Sequence, residues 1–153
     1  MGVVASMQPT HVTSDMYWAE DRVGPERIKG AYAWRKLMDT GAVIACGSDF
    51  PVEGVNPLWG IYAAVTRQDH KGWPEGSWYP GERMTLYEAV AGFTRHAAYA
   101  SFEEDIKGTL EPGKLADVTV LDKDLFQIPA SEILGTRVRL TVVGGRVVYR
   151  SED

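Results

Sequence analysis

Two short apolar runs separated by a helix-length segment constrain the fold of this chain more than any other feature. The first run is Gly2–Gln8 and the second is Ala42–Cys46, and both have the length of a buried strand. Between them, Pro25 can open a helix at its first turn and Gly41 can end it. A strand, a helix and a strand in this order predict two parallel strands joined by a crossover.

Further helices are predicted on both sides of a loop in the middle of the chain. Apolar residues at helical spacing predict a helix over Pro57–Gln68, and 69–83 is rich in Gly, Pro and Trp, which is typical of a loop. Thr85 and Glu88 have the spacing of a capping box, which predicts a helix start there. The segment between the first strand and Pro25, which contains His11, is predicted to be a polar, aromatic loop.

The pattern changes after Lys107, where short β-strands replace helices. Ala116–Leu121 is strand-like, and the alternating residues around Gly144-Gly145 predict a hairpin. We therefore divide the chain into residues 1–106, an α/β part, and 107–153, a β-rich part. Two parallel strands do not complete a sheet, so open edges are expected, and with them self-association.

Composition excludes several classes of function. The net charge is −5 and the basic residues are not clustered, which argues against nucleic acid as a partner. No run approaches the length of a membrane span, and no signal peptide is evident at the start of the sequence. The only cysteine, Cys46, lies in an apolar run and cannot form an internal disulfide. These features predict a soluble, cytoplasmic protein.

Two residues at the ends of the predicted parallel strands are candidates for catalysis. Asp49 follows the second strand and His11 follows the first, and parallel α/β folds carry their chemistry at these ends. A carboxylate there can bind a divalent metal or accept a proton from water, and a histidine can hydrogen-bond the substrate. The simpler interpretation is that Asp49 caps a turn and that His11 is an ordinary loop residue.

The remaining histidines do not supply a conventional zinc site. His70 is expected in solvent and His96 on a helix, and no His-x-His pair exists in the sequence. A cluster of aromatic side chains is a further candidate for a small-ligand pocket, although the same residues could pack as a lid: Tyr17, Trp18, Trp73 and Trp78.

Four stretches in the correct order resemble the last third of YtcJ-like amidohydrolases (amidohydrolase family 3). They are Ala5-Ser6-Met7-Gln8-Pro9-Thr10-His11, Gly47-Ser48-Asp49-Phe50-Pro51-Val52, the segment from Gly108 to Asp117, and the segment from Thr141 to Tyr149. The resemblance covers essentially the whole chain.

The resemblance implies the carboxyl-terminal part of a divergent TIM barrel, residues 1–106, and part of a small β-sandwich, residues 107–153. It implies a hydrolase of C–N bonds, in amides or N-acyl compounds, that activates water with a divalent metal, most simply zinc. Asp49 would match a catalytic aspartate that contacts the metal and shuttles a proton. His11 would match a position that faces a small-molecule substrate.

The other metal ligands of that family have no counterpart in this sequence. The family's His-x-His, its bridging lysine or carboxylate and two further histidines are missing, and a catalytic zinc normally has three protein ligands. The chain is therefore expected to be a segment of a larger enzyme that alone binds no metal and is inactive. The alternative is a non-catalytic α/β module that self-associates through open strand edges.

Overall fold

A computed structural model describes residues 2–152. It has a mixed α/β architecture with two separate sheets, which confirms the predicted α/β class. The strands are β1 (Ala5–Met7), β2 (Ile44–Cys46), β3 (Val118–Leu121), β4 (Val138–Val143) and β5 (Arg146–Arg150). The helices are α1 (Pro9–Asp15), α2 (Ala19–Arg27), α3 (Trp34–Asp39), α4 (Pro57–Thr66), α5 (Leu86–Phe93) and α6 (Arg95–Ala100). Three 3₁₀ segments accompany them, Ile28–Gly30, Pro80–Glu82 and Ala130–Gly135.

The two apolar runs form a parallel pair, as predicted. Ala5 lies opposite Ile44 and Met7 opposite Cys46. The backbone N–H of Gly47 donates to the carbonyl of Met7 at 3.0 Å, so pairing continues past the end of β2. The segments that follow β1 and β2 therefore leave the sheet at the same edge.

The predicted loop after the first strand is wrong, because this segment forms helices α1 and α2. Pro9 occupies the first turn of α1, where its missing N–H leaves no unpaired acceptor. Val12 is fully buried in the core, in contact with the cluster that includes α4 residues. Burial of this face outweighs the weak helix propensity of a segment rich in Thr, Ser and His.

The single helix predicted from Pro25 to Gly41 is also wrong, since this segment is broken into three pieces. α2 is kinked at Gly24, a 3₁₀ turn follows, and α3 begins only at Trp34. Tyr32, with φ of 51°, interrupts the helical path between them. Trp34 is nearly completely buried, and the break before α3 accompanies the placement of its indole in the core.

The later helices are largely as predicted. α4 begins at Pro57 after an Asn56 side chain that accepts from the N–H of Leu58. The capping box of Thr85 and Glu88 is present at the start of α5. α5 ends at Phe93, Thr94 adopts a non-helical conformation, and α6 begins at Arg95.

Helix α5 approaches β2 closely because Gly92 faces the strand. A Cβ at this position would lie 2.6 Å from the Sγ of Cys46, so a larger residue cannot be accommodated without displacing the helix. The Nδ1 of His96 lies 3.1 Å from the carbonyl of Ile44 and anchors α6 to the same strand. Burial raises the pKa of the Cys46 thiol to about 12, which agrees with its predicted role as a buried apolar residue.

The carboxyl-terminal strands form a separate antiparallel sheet of order β3-β4-β5. The predicted hairpin is present, and both Gly144 and Gly145 adopt positive φ in its turn. The 3₁₀ segment Ala130–Gly135 packs against α4 and places Ile133 in the core. No helix within residues 2–152 is both long and apolar enough to cross a membrane.

Candidate functional site

His11 and Asp49 are brought together at the edge where β1 and β2 end. The Nε2 atom of His11 lies 3.6 Å from the Oδ2 atom of Asp49. This distance is too long for a hydrogen bond but short enough for an ion pair when the imidazole is protonated. The parallel register that aligns Met7 with Cys46 is what places the residues following each strand side by side.

The two side chains differ in their surroundings. The Asp49 side chain is 51% exposed and the His11 side chain 26% exposed. The Nε2 atom of His11 is itself buried and has no hydrogen-bond partner. A buried polar atom without a partner is uncommon, and a ligand or a small movement of Asp49 would satisfy it.

The turn that carries Asp49 is held by other groups. The hydroxyl of Ser48 accepts from the N–H of Phe50 at 3.3 Å, and the carbonyl of Asp49 accepts from the N–H of Val52 at 2.7 Å. Within the described chain, no backbone N–H donates to the Asp49 carboxylate. The interpretation of Asp49 as a turn cap therefore does not describe this turn, whose capping side chain is Ser48.

Asp49 adopts a backbone conformation that is uncommon for a residue with a side chain. Its φ is 58°, in the left-handed region, where Asp and Asn are tolerated better than other residues. Such conformations persist where the surrounding structure fixes them, and they cluster at functional sites. The Oδ2 atom of Asp49 approaches His11 and not the backbone N–H groups of its own turn.

The described residues do not form a complete metal site. Across residues 2–152 there is no group of three or more His, Cys, Asp or Glu side chains placed to hold a metal ion. The pair contributes one carboxylate and one imidazole, whereas a catalytic zinc normally has three protein ligands. A metal bound at this edge would need ligands from outside the described chain.

The other residues singled out in the sequence lie elsewhere. The ring of His70 contacts Trp59 and Tyr62 edge-on, at centroid distances of 5.0 and 6.3 Å. The predicted aromatic pocket is not one cluster: Tyr17 stacks on Trp73, whereas Trp78 packs with Tyr32 and Tyr79. Trp18 makes no ring contact within the described residues.

The loop after α4 is ordered by Asp69. Its carboxylate accepts hydrogen bonds from the hydroxyl of Tyr17 at 2.6 Å and from the N–H groups of Lys71 and Trp73 at 2.8 and 2.9 Å. Burial alone would raise the pKa of Asp69, but these hydrogen bonds lower it below its ordinary value. The loop is thereby tied to the turn that follows α1, the helix that carries His11.

A buried arginine that the sequence did not indicate supports the same loop. Arg67 is fully buried, and its guanidinium lies between the rings of Trp34 and Trp78, at 4.6 and 5.2 Å from their centroids. It donates to the carbonyls of Trp78 at 2.6 Å and Tyr32 at 3.0 Å. Burial lowers the pKa of Arg67 to about 10, and the nearby carboxylate of Glu82 acts in the opposite direction.

Comparison with known proteins gives consistent matches over most of the chain. The sequence profile described as "Amidohydrolase family" matches residues 1–149. The putative amidohydrolase YtcJ of Bacillus subtilis is 36% identical over 97% of this chain and 28% of its own length. The N-substituted formamide deformylase of Arthrobacter pascens is 31% identical over 75% of this chain and 21% of its own length.

A solved structure shows the same local fold. An uncharacterized metal-dependent hydrolase from Pyrococcus horikoshii is 30% identical, with a TM-score of 0.72 over 84% of this chain and 26% of that chain. This chain thus spans between about a fifth and 28% of the length of the proteins it matches.

Proposed function

The chain belongs to the amidohydrolase family, and on that premise we propose that it forms the last part of a hydrolase of C–N bonds. The substrates are amides or N-acyl compounds, a class to which the name of the related N-substituted formamide deformylase points. In that setting residues 1–106 supply the final strands and helices of a TIM-type barrel. Residues 107–153 supply part of a β-sandwich.

The observation that carries this proposal is the pairing of His11 with Asp49 at the ends of two adjacent parallel strands. Chemistry in barrels of this kind is found at that edge. The Asp49 carboxylate is accessible and free of backbone donors, so it can accept a proton from an attacking water and return it to the departing amine. His11 has an unpaired Nε2 that can hydrogen-bond a carbonyl oxygen of the substrate.

The family implies a divalent metal, for which zinc is our proposal. When bound, such an ion lowers the pKa of a coordinated water. Asp49 fits one ligand position by its chemistry, and the remaining ligands would come from other parts of a longer protein. The described residues alone do not provide the set.

The proposal is tested by combining this chain with the remainder of a relative. Residues 1–149 of this chain replace the matching segment of the Bacillus subtilis amidohydrolase, and hydrolysis of a panel of N-acyl and N-formyl amines by this chimera is measured. Turnover of at least one amide is expected, and it should disappear on treatment with a chelator. A folded chimera that hydrolyses none of these compounds, while the unmodified relative does, contradicts the proposal.

A second candidate is a non-catalytic module that self-associates. It is favoured by β5, whose five residues are all exposed and which pairs only with β4 among the described strands. The side chains of Val147, Val148 and Tyr149 are each more than half exposed. Such a strand can pair with the same strand of a second copy.

A further inference from the structure

A pocket lies where three segments of the chain meet, two of which adjoin His11 and Asp49 in the sequence. It has a volume of about 400 Å³ and is walled by α1, by the turn that follows Asp49 and by the loop ordered by Asp69. Thr10 contributes from α1, one residue before His11, and Glu53 contributes from the turn. His11 and Asp49 do not themselves line the pocket, but α1, which carries His11, and the turn that follows Asp49 form two of its walls.

One wall of the pocket is an indole held in a fixed position. Trp59 is half-buried, and its ring packs against the backbone of Gly54 so closely that a Cβ there would lie 2.1 Å from the indole. On another side the ring of His70 meets it edge-on at 5.0 Å. Because Gly54 and His70 hold the ring, Trp59 presents a flat apolar surface to whatever enters.

The second wall carries an uncompensated negative charge. Glu53 is half-buried, and within residues 2–152 its carboxylate has no hydrogen bond or ion pair. Asp69 also lines the pocket, but its carboxylate is already engaged by Tyr17 and by two backbone N–H groups. Lys71 is the only Lys or Arg among the lining residues, and it is an electrostatic partner of Asp69.

A buried hydroxyl adds a third feature that indicates a ligand. Thr10 lines the pocket and is 5% exposed, and its Oγ1 has no hydrogen-bond partner. Most buried hydroxyls have a hydrogen-bond partner. Rotation of the Thr10 side chain about χ1 would let its unpaired hydroxyl bond a polar group in the pocket. An aromatic face, a free carboxylate and a free hydroxyl are the groups that together recognise an organic cation.

We propose that this pocket binds the amine-side substituent of the substrate, and that the substituent is a compact aromatic group carrying a positive charge. The proposal rests on the proposed hydrolase function, because it assigns a substrate class to that site. Glu53 pairs with the charge, Trp59 contacts the ring and the cation, and Thr10 hydrogen-bonds the charged head. Anionic compounds of the same size are excluded by Glu53 and Asp69.

The test is a binding measurement on the chain, with no hydrolysis involved. Benzylammonium, benzyl alcohol and phenylacetate are titrated while the indole N–H resonances are followed by NMR. Benzylammonium is expected to bind with a dissociation constant on the order of a millimolar. It should shift the indole N–H resonance of Trp59, which is assigned by its absence from the spectrum of Trp59→Leu. Benzyl alcohol should bind more weakly, and phenylacetate should not bind.

Two variants and a matched control make the result decisive. Glu53→Gln keeps the shape and should weaken benzylammonium binding about tenfold, while Trp59→Leu should weaken it about threefold. Asp105→Asn removes an exposed carboxylate outside the pocket and should change nothing. Circular dichroism confirms that each variant is folded.

Equal binding of the cation and the anion, no binding of benzylammonium, or unchanged binding in Glu53→Gln each overturns the proposal. Failure of the hydrolase function is recognised separately, since it is measured in the chimera. If the chimera is inactive but binds the cation in a way that depends on Glu53, the proposed cation pocket stands and the proposed hydrolase function fails. If the chimera is active but shows no preference for the cation, the hydrolase function stands and the cation pocket fails.

Discussion

The imidazole of His11 lies 3.6 Å from the carboxylate of Asp49 although the two residues follow different strands. The parallel pairing of β1 with β2 produces this proximity, because Met7 and Cys46 are register partners. The segments that follow the two strands therefore leave the sheet at the same edge. In the turn after β2, the N–H of Phe50 donates to the Ser48 hydroxyl and the N–H of Val52 donates to the carbonyl of Asp49, so the Asp49 carboxylate is not used to hold the turn.

The isolated chain is expected to hold no stoichiometric divalent metal. Asp49 and His11 offer two donors at most, and the described residues contain no third donor near them. Elemental analysis after dialysis against zinc-containing and then zinc-free buffer measures this. One tightly held ion per chain would show that the ligand set is more complete than the geometry indicates.

The purified chain is expected to form dimers or larger species through β5. Its free edge and its exposed apolar side chains invite pairing with a second copy. Val148→Lys places a charge on that strand and should shift the population toward monomer in sedimentation velocity. Val55→Lys, at an exposed loop position, serves as the control. A wild-type chain that is monomeric at all concentrations contradicts this prediction.

Arg67→Lys is expected to destabilise the fold by about 2 to 4 kcal/mol. Arg67 reaches the carbonyls of Trp78 and Tyr32 from two separate nitrogens, Nε and Nη1, whereas lysine has a single nitrogen on a stem of different shape, and a buried acceptor left unpaired costs about 1–3 kcal/mol. The planar contact with the two indoles is lost as well. Urea unfolding measures the change, with the exposed Arg22→Lys as control. A loss below about 0.5 kcal/mol would show that Arg67 is dispensable.

Stability is expected to fall in acid partly through Glu88. Hydrogen bonds from Arg35, the largest cause, lower the pKa of Glu88 from 4.5 to about 2, against the opposing effect of burial. A carboxyl whose pKa is depressed in the folded state stabilises the fold above its unfolded pKa. That contribution is lost as the pH falls from 4.5 toward 2.

The measurement is the free energy of unfolding of wild type and Glu88→Gln at about pH 7 and about pH 3. The difference between the two proteins should be largest at neutral pH and should shrink in acid. Glu75→Gln, which removes an exposed carboxylate, should track the wild type at both values. A difference that is independent of pH would assign the effect to packing.

Sequence patterns predicted the elements whose signals are local. The pairing of the apolar runs, the start of α4 at Pro57, the Thr85–Glu88 box and the glycine hairpin are all confirmed. α1 was missed because its residues favour helix weakly and the burial of Val12 decides the outcome. That burial depends on contacts with distant parts of the chain, which no local pattern contains.

The candidate site was predicted only in part for the same reason. Proximity of His11 and Asp49 followed from their positions after parallel strands. The proposed cation pocket did not follow from the sequence, because its walls combine α1, the turn at Glu53 and the loop at His70. Arg67 gave no signal either, since an arginine in a sequence is far more often exposed than buried.

The role of Asp49 is tested most directly by Asp49→Asn in the chimera with the Bacillus subtilis amidohydrolase. An amide keeps the shape of the side chain but cannot accept a proton from water at neutral pH. We therefore expect the hydrolysis rate to fall by about 10²- to 10⁴-fold while the melting temperature stays close to that of the parent. Ser48→Ala, which removes the actual turn cap, should instead lower stability by about 1 kcal/mol and leave a measurable rate. Near-normal turnover in Asp49→Asn, or loss of folding in place of loss of rate, would contradict a catalytic role for Asp49.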